Sequence, residues 1–378
     1  MRGVKSSLYV ATQAFRPWAA LRSRKGYFAE RDWGRLSARK IAIVACHWLG
    51  DTLWAAQVVP ALERRFPEAD LYAITKPFAA DLWHGAILPQ RVLSAPEVVS
   101  DRRREPFVPL ALRRRARELR RQEFDLVIDL TGNRYSAWFT YLLRPGGSVG
   151  FDGGELGWLY SLRVAQAERP GRHLSERPFR VIEPLLAATD WPPEATAKEG
   201  EPLAYRLPLR PPSPTCTVSD IRSHLNMTGQ QYFVLAPGAG WPDKRWPAEK
   251  FIEAGAKLAE LPCRAGMPDL PTGRPVVVVG AHAEEDLCRQ VSAGIPGSHV
   301  CTGRPIGQVI ALLSRALGVL SNDSGIAHLA AALGRPTAAV FTGATDPQLC
   351  RPLGDPEAVK VFQASAPVET IVAHLRRP

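Results

Sequence analysis

Cysteine is scarce. The chain of 378 residues holds six, and Cys46, Cys216, Cys263, Cys288, Cys301 and Cys350 form no C-x-x-C pair and no close cluster with histidine. That scatter argues against a zinc site and a disulfide framework, and it suits a reducing cytosol. No stretch approaches the ~18 continuous apolar residues of a membrane-spanning helix. The basic N-terminus lacks an uninterrupted apolar core, so no cleaved signal peptide is expected. Phosphate-loop signatures are missing too. There is no G-x-x-x-x-G-K-[ST], and the loop after the first strand-like run is His47-Trp-Leu-Gly-Asp-Thr52, without the G-x-G-x-x-G of a dinucleotide site. The second absence weighs against a nicotinamide-dependent oxidoreductase, the alternative enzyme with two α/β domains.

What is present is ordinary for a globular protein. At roughly 100–200 residues per domain the length predicts two domains, and the apolar fraction of 46% supports real cores. Disorder, collagen-like repeats and coiled coil are excluded. The formal net charge is +11, but its placement is uneven. Residues 1–40 hold ten Lys/Arg against two acids, and residues 101–121 hold nine Arg against three. The rest of the chain is slightly acidic. A nucleic-acid or polyanion binder would spread its basic residues over a folded face with interleaved aromatics, so no nucleic-acid partner is expected. Two short basic segments fit contact with an anionic membrane surface better, through residues 1–38 and 102–121, where each Lys/Arg is worth about 1 kcal/mol. Leu8, Phe15, Trp18 and Leu21 fall at near-helical spacing, so residues 1–38 form either a membrane-surface helix or a loosely ordered basic tail.

From residue 41 the pattern becomes regular. Residues 41–46 are a continuous apolar run, suited to a buried parallel strand. A helix is predicted over 52–65, strands at 71–75 and near 92–94, a helix over 110–121, a strand at 125–131 and a helix over 136–143. Seven prolines between 192 and 214 mark a linker or a new domain. The rhythm then restarts, with strands at 232–236, 275–279, 317–321 and 337–341, and with helices from 247 and about 283, 306 and 326. Alternation of this kind gives right-handed βαβ units and doubly wound parallel sheets. The expected organisation is a basic extension (1–38), a first Rossmann-like domain with a proline-rich linker (39–215) and a second Rossmann-like domain (216–378). Ligands are expected in a cleft between them, outside the carboxyl ends of the strands.

Four segments can carry chemistry. In the first, Gly50 permits a tight turn and Asp51 stands at a helix start, either as an N-cap or as a general base. His47 is a rival base or a plain loop histidine. In the second, Pro237-Gly238 to Lys244-Arg-Trp-Pro247, a glycine-rich turn lets backbone N–H groups approach a phosphate. There Lys244 is either a point charge for a diphosphate or an exposed loop lysine. In the third, Asn322-Asp323-Ser324-Gly325 runs into an Ala-rich helix whose N-terminus is a ready anion site. Asp323 or Ser324 is alternatively only its cap, and His328 only a packed residue. In the fourth, Glu284 and Glu285 follow a strand end, where a carboxylate either binds a ribose diol or is a solvated helix-start acid.

Taken in order, these segments resemble glycosyltransferase family 9, the bacterial ADP-heptose:lipopolysaccharide heptosyltransferases. The match includes Gly50-Asp51, Val59-Pro-Ala-Leu62, Arg65-Phe-Pro67, the run 125–130 with Gly132-Asn133, and Ser148-Val-Gly-Phe151. It continues through Pro237-Gly238…Lys244-Arg-Trp-Pro247 and Asn322-Asp-Ser-Gly325…His328-Leu-Ala, covering the chain from about residue 40 onward. The segment His173-Leu-Ser-Glu-Arg177 is also similar to a family stretch. The resemblance implies a GT-B fold and an inverting, metal-independent transfer with no cofactor. Its substrates would be a nucleotide-sugar donor, ADP-heptose in the commonest case, and an anionic glycolipid or glycan acceptor at the inner face of the cytoplasmic membrane. It makes Asp51 the base that deprotonates the acceptor and Lys244 the cation that stabilises the departing nucleotide. Gly238, Glu284, Asp323, Ser324, Gly325 and His328 would bind the nucleotide-sugar, with Glu284 on the ribose. Gly50, Asn133 and Arg134 would contact the acceptor.

Overall fold

The apolar run that opens the regular pattern does form a buried strand. A computed structural model describes residues 33–96, 99, 110–152, 156–165, 173–186, 231–261 and 273–376. Most of the basic extension, residues 100–109 of the arginine-rich stretch, the proline-rich linker and the expected domain boundary at 215/216 lie outside those residues. The chain divides into two compact units, residues 1–170 with 175–193 and residues 171–174 with 194–378.

In the first unit, β1 (Lys40–Ala45) lies between β2 (Asp70–Thr75) and β4 (Leu126–Asp129), with Ile41 level with both Leu71 and Leu126. β3 (Val92–Ser94), β5 (Gly147–Phe151) and β6 (Leu162–Val164) complete a parallel sheet of order β3-β2-β1-β4-β5-β6. Its helices are α1 (Leu49–Ala56), α2 (Val59–Arg65), α3 (Leu110–Leu119), α4 (Arg134–Leu143) and α5 (Arg177–Ile182). Ala42, Val44, Ile74, Leu112, Val127 and Phe139 meet in one core. Each large apolar side chain so buried stabilises the fold by roughly 1.5–3 kcal/mol relative to exposure.

The second unit repeats the plan. Its strands are β7 (Phe233–Ala236), β8 (Val276–Gly280), β9 (His299–Thr302), β10 (Gly318–Asn322), β11 (Thr337–Phe341) and β12 (Val359–Gln363). They align in parallel as β12-β11-β10-β7-β8-β9. Its helices are α6 (Ala248–Ala259), α7 (Glu285–Ala293), α8 (Ile306–Leu313), α9 (Gly325–Ala332), α10 (Pro347–Cys350) and α11 (Val368–Leu375). In each sheet the first strand of the unit sits beside its fourth. The crossovers leave in opposite directions there, which opens a crevice at the carboxyl ends of those strands.

Three local readings change. The single helix expected over 52–65 is two helices, because Pro60 has no N–H to give the Ala56 carbonyl and its ring crowds that turn. The arginines of α3 are not all surplus charge. Arg115 donates to the Ser94 carbonyl (2.8 Å) and, just past the helix, Arg120 donates to that of Leu142 (2.6 Å). Leu36 and Ala38, at the end of the segment read as an extension, are buried, and Arg65 donates to the Leu36 carbonyl.

Candidate active site

The second unit gathers its sequence-predicted residues on the carboxyl ends of three adjacent strands, β10, β7 and β8. Gly238 follows β7, and its hydrogen side faces the Glu284 carboxylate so closely that a Cβ would overlap it. Glu284 arrives from the loop after β8, where its carboxylate accepts the Ala281 N–H at 2.8 Å. That bond fixes the carboxylate beside the Gly238 backbone. Here the glycine is needed for close approach, not for an unusual φ.

Asp323 follows β10. Its Oδ2 accepts from the Lys244 ammonium at 2.6 Å and from the Thr345 hydroxyl at 2.6 Å. Lys244 lies 79 positions away, and its ammonium is held at the crevice because the intervening loop is laced down by Asn322. That side chain donates to the Pro237 carbonyl (2.7 Å) and accepts the Trp246 N–H (2.9 Å). Ser324 precedes α9, yet its side chain does not cap the helix. Its hydroxyl stands 2.9 Å from that of Ser321. The first-turn N–H groups of α9, beginning at Gly325, therefore receive no bond from the Ser324 side chain, and their partial positive charge faces the same crevice as Lys244.

His328 is buried in the first turn of α9. Burial pushes it from 6.5 down to about 4, against the pull of Asp323. His173, in the short segment that belongs to this unit, is likewise pushed by burial to about 4, although its ring donates to the Arg351 carbonyl at 3.0 Å. The unfolded chain protonates both rings below pH 6.5 while the folded protein keeps them neutral. Stability is therefore complete at neutral pH and is lost as pH falls from about 6.5 toward 4. For His328 alone the loss between pH 7 and pH 5 is about 2 kcal/mol. Urea unfolding at the two pH values should show that loss, and the loss should shrink in His328→Gln; equal slopes in the two proteins would rule out His328 as its source.

In the first unit, Asp51 is the third residue of α1 and not its cap; the cap position belongs to Trp48, whose side chain makes no capping bond. Asp51 thus sits in the first turn, and its negative charge is felt by His47. His47 donates from Nε2 to the Leu130 carbonyl (3.0 Å), and burial holds its basicity below the ordinary histidine value. The Arg177 charge pushes in the same direction, so the His173–Arg177 stretch brings a guanidinium toward the Asp51 loop.

Asn133 caps α4. Its Oδ1 accepts the N–H groups of Tyr135 and Ser136, and its Nδ2 donates to the Val99 carbonyl at 2.7 Å. Its amide is thus occupied in shaping the loop after β4. Arg134 follows it, stacked 5.5 Å from the Tyr135 ring centroid. Beneath them the buried Asp129 accepts from Tyr160 (2.6 Å), Thr131 N–H and Gly132 N–H, and burial holds its carboxyl above the usual carboxylate range. Tyr160 reaches it across Gly150, where any side chain would strike the ring.

Several of these partners were hidden in the sequence. Asn322 stood within a recognised motif, but its lacing role needs the β7 loop beside it. Asp129 lay in the matched run 125–130 only as a strand residue, and Thr345 carried no signal of its own. Among the described residues, no group of three or more His, Cys, Asp or Glu side chains gathers where a metal ion could be held.

The model of "Glycosyltransferase family 9 (heptosyltransferase)" matches residues 112–367. The chain belongs to this family. Lipopolysaccharide heptosyltransferase 1 of Pseudomonas aeruginosa is 26% identical over 321 residues, which cover 82% of this chain and 79% of that protein. Lipopolysaccharide heptosyltransferase 2 of Escherichia coli K12 is 24% identical over 331 residues, covering 83% and 85%. The solved structure of E. coli ADP-heptose LPS heptosyltransferase II superposes with a TM-score of 0.69 at 18% identity, covering 89% of this chain and 97% of that one. This family 9 glycosyltransferase therefore has the GT-B fold, built from two Rossmann-like parallel-sheet units.

Proposed function

We propose that this glycosyltransferase transfers a heptose from ADP-heptose to a bacterial lipopolysaccharide core or a related glycan, inverting the anomeric carbon without a metal. The observation that carries the reading is the arrangement of Lys244, Asp323 and the α9 N-terminus at the switch point of the second sheet, with Glu284 held beside Gly238. A diphosphate in that crevice would meet a cation and the N-terminal N–H groups of a helix, the charge compensation a departing nucleotide needs. Glu284 suits the ribose diol. His328, neutral at pH 7, shapes the pocket without adding charge.

The acceptor is assigned to the first unit, with Gly50, Asn133 and Arg134 shaping its seat. Asp51 takes the proton of the acceptor hydroxyl as that oxygen bonds to the anomeric carbon. The bond from that carbon to the diphosphate oxygen breaks, and ADP leaves with both electrons and its added negative charge. The relatives named above support a heptose donor and a lipopolysaccharide acceptor.

No helix among the described residues is long and apolar enough to cross a membrane. On α3, Leu112, Ala116 and Leu119 face inward while Arg113, Arg114 and Arg117 are exposed. With the basic residues of 1–38 they support peripheral attachment to the cytoplasmic face of the inner membrane. One assay tests both ideas. The protein is given ADP-heptose, UDP-glucose or no donor, with heptose-deficient lipopolysaccharide in anionic vesicles, and release of the nucleoside diphosphate (ADP or UDP) and vesicle flotation are measured. ADP release that requires both ADP-heptose and the acceptor is expected, with flotation that fades as salt rises. Release from UDP-glucose alone would overturn the donor assignment, and salt-independent flotation would overturn the electrostatic attachment.

A further inference from the structure

Trp48 is 65% exposed and Phe78 is 45% exposed, although aromatic side chains of this size are ordinarily among the most buried. They are two of only five large apolar residues so exposed among those described. Both stand at the carboxyl edge of the first sheet. Trp48 lies in the loop after β1, three residues before Asp51, and Phe78 lies just beyond β2. Their ring centroids are 6.3 Å apart and the planes are inclined by 34°. Lys76 is only 7% exposed. Its ammonium lies 4.1 Å from the Trp48 ring centroid and 5.3 Å from that of Phe78.

A lysine buried under two exposed rings is an unusual use of charge. Held at these distances, the ammonium is attracted to both ring faces and fixes their orientation. The rings thus gain rigidity without gaining burial. They form a firm aromatic ledge beside the candidate base, in a region where the function proposed above requires a sugar. One face of a pyranose ring is a patch of C–H bonds, which packs on aromatic faces while the hydroxyls stay free for hydrogen bonding.

Resting on the function proposed above, we infer that Trp48 and Phe78 form the subsite that receives the pyranose ring bearing the attacking hydroxyl, and that Lys76 is a positioning residue for both rings. The ledge selects for a ring whose C–H face turns toward the protein and whose hydroxyl turns toward Asp51. Its occupant is a sugar, not an acyl chain and not a second copy of the protein.

The test uses the full chain and fully deacylated, heptose-deficient lipopolysaccharide core as a lipid-free probe, in wild type and in W48A, W48F, F78A, K76M and K76R. Calorimetry reads binding of the probe, and turnover with ADP-heptose reads KM for each substrate. W48A is expected to raise the Kd and KM for the probe about tenfold, equal to about 1.4 kcal/mol, with the KM for ADP-heptose unchanged. W48F should recover most of the loss, F78A should resemble a milder W48A, and K76R should restore what K76M loses. The inference is overturned if wild type transfers heptose while W48A and F78A bind the probe as tightly as wild type. It is also overturned if W48A weakens binding only of acylated lipopolysaccharide, which would make the occupant an acyl chain, or if it acts by dissociating a dimer seen in light scattering. A wild type that neither binds the probe nor turns over with it overturns the proposed function, and this inference with it. Thermal unfolding of each variant, with W48F as the conservative arm, separates lost recognition from lost folding.

Discussion

Lys244→Ala is expected to lower turnover at saturating donor by about 10²–10³-fold, the range seen when one preorganised group that stabilises developing charge is removed. The expectation follows from the surroundings of Lys244. Its ammonium is held 2.6 Å from Asp323 at the switch point, with the first turn of α9 beside it. A diphosphate leaving group gains negative charge as the sugar bond breaks, and alanine leaves only helix N–H groups to meet it. The buried Asp323 carboxylate would keep its bond from Thr345 but lose its counter-ion. A stability loss should therefore accompany the kinetic one, which the partial exposure of Lys244 keeps to a few kcal/mol. Lys244→Arg should restore folding more fully than turnover, since a planar guanidinium does not reproduce a compact ammonium. Single-turnover measurements that found the alanine variant within threefold of wild type would remove Lys244 from the chemistry.

Asp51→Asn should cost about 10²–10⁴-fold in kcat, the contribution of a positioned general base. Because Asp51 does not cap α1, the helix should lose no more than about 0.3–1 kcal/mol, the usual value of a carboxylate in a first turn. The KM for the donor should stay near that of wild type, since the residues proposed to bind the donor belong to the other unit. A variant that kept its rate would transfer the role to His47, the rival in the same loop.

The strands at the centres of the sheets were legible because they are buried on both faces and are written as unbroken apolar runs. The run at 41–46 and the strand Lys40–Ala45 differ by one residue. Of the four edge strands only β3 was legible, as the expected strand near 92–94. β9 begins with His299 and is only partly buried, while β12 contains Lys360 and ends in the exposed Gln363, so neither carries a continuous apolar signal. The motifs assigned to the donor were readable because loops after parallel strands announce themselves with glycine, proline and a helix start. What joins those loops was not readable. The bonds of Asn322 to Pro237 and Trp246 span 85 and 76 positions, and the Lys76 stack on Trp48 crosses from one βα loop to another. Such contacts are products of strand order, which no local pattern encodes.

The two sheets share one strand order, and among the described residues no strand of either pairs with a strand of the other. Each half of the enzyme therefore satisfies its own backbone and carries its own recognition loops on its own scaffold. On the function proposed above, descendants of such a chain can rewrite the loops after β1, β2 and β4 to accept a new glycan while inheriting the loops assigned to the donor, or the reverse. A strand order used twice thus becomes a means of diversification, in which the sugar given and the sugar receiving it change on separate schedules.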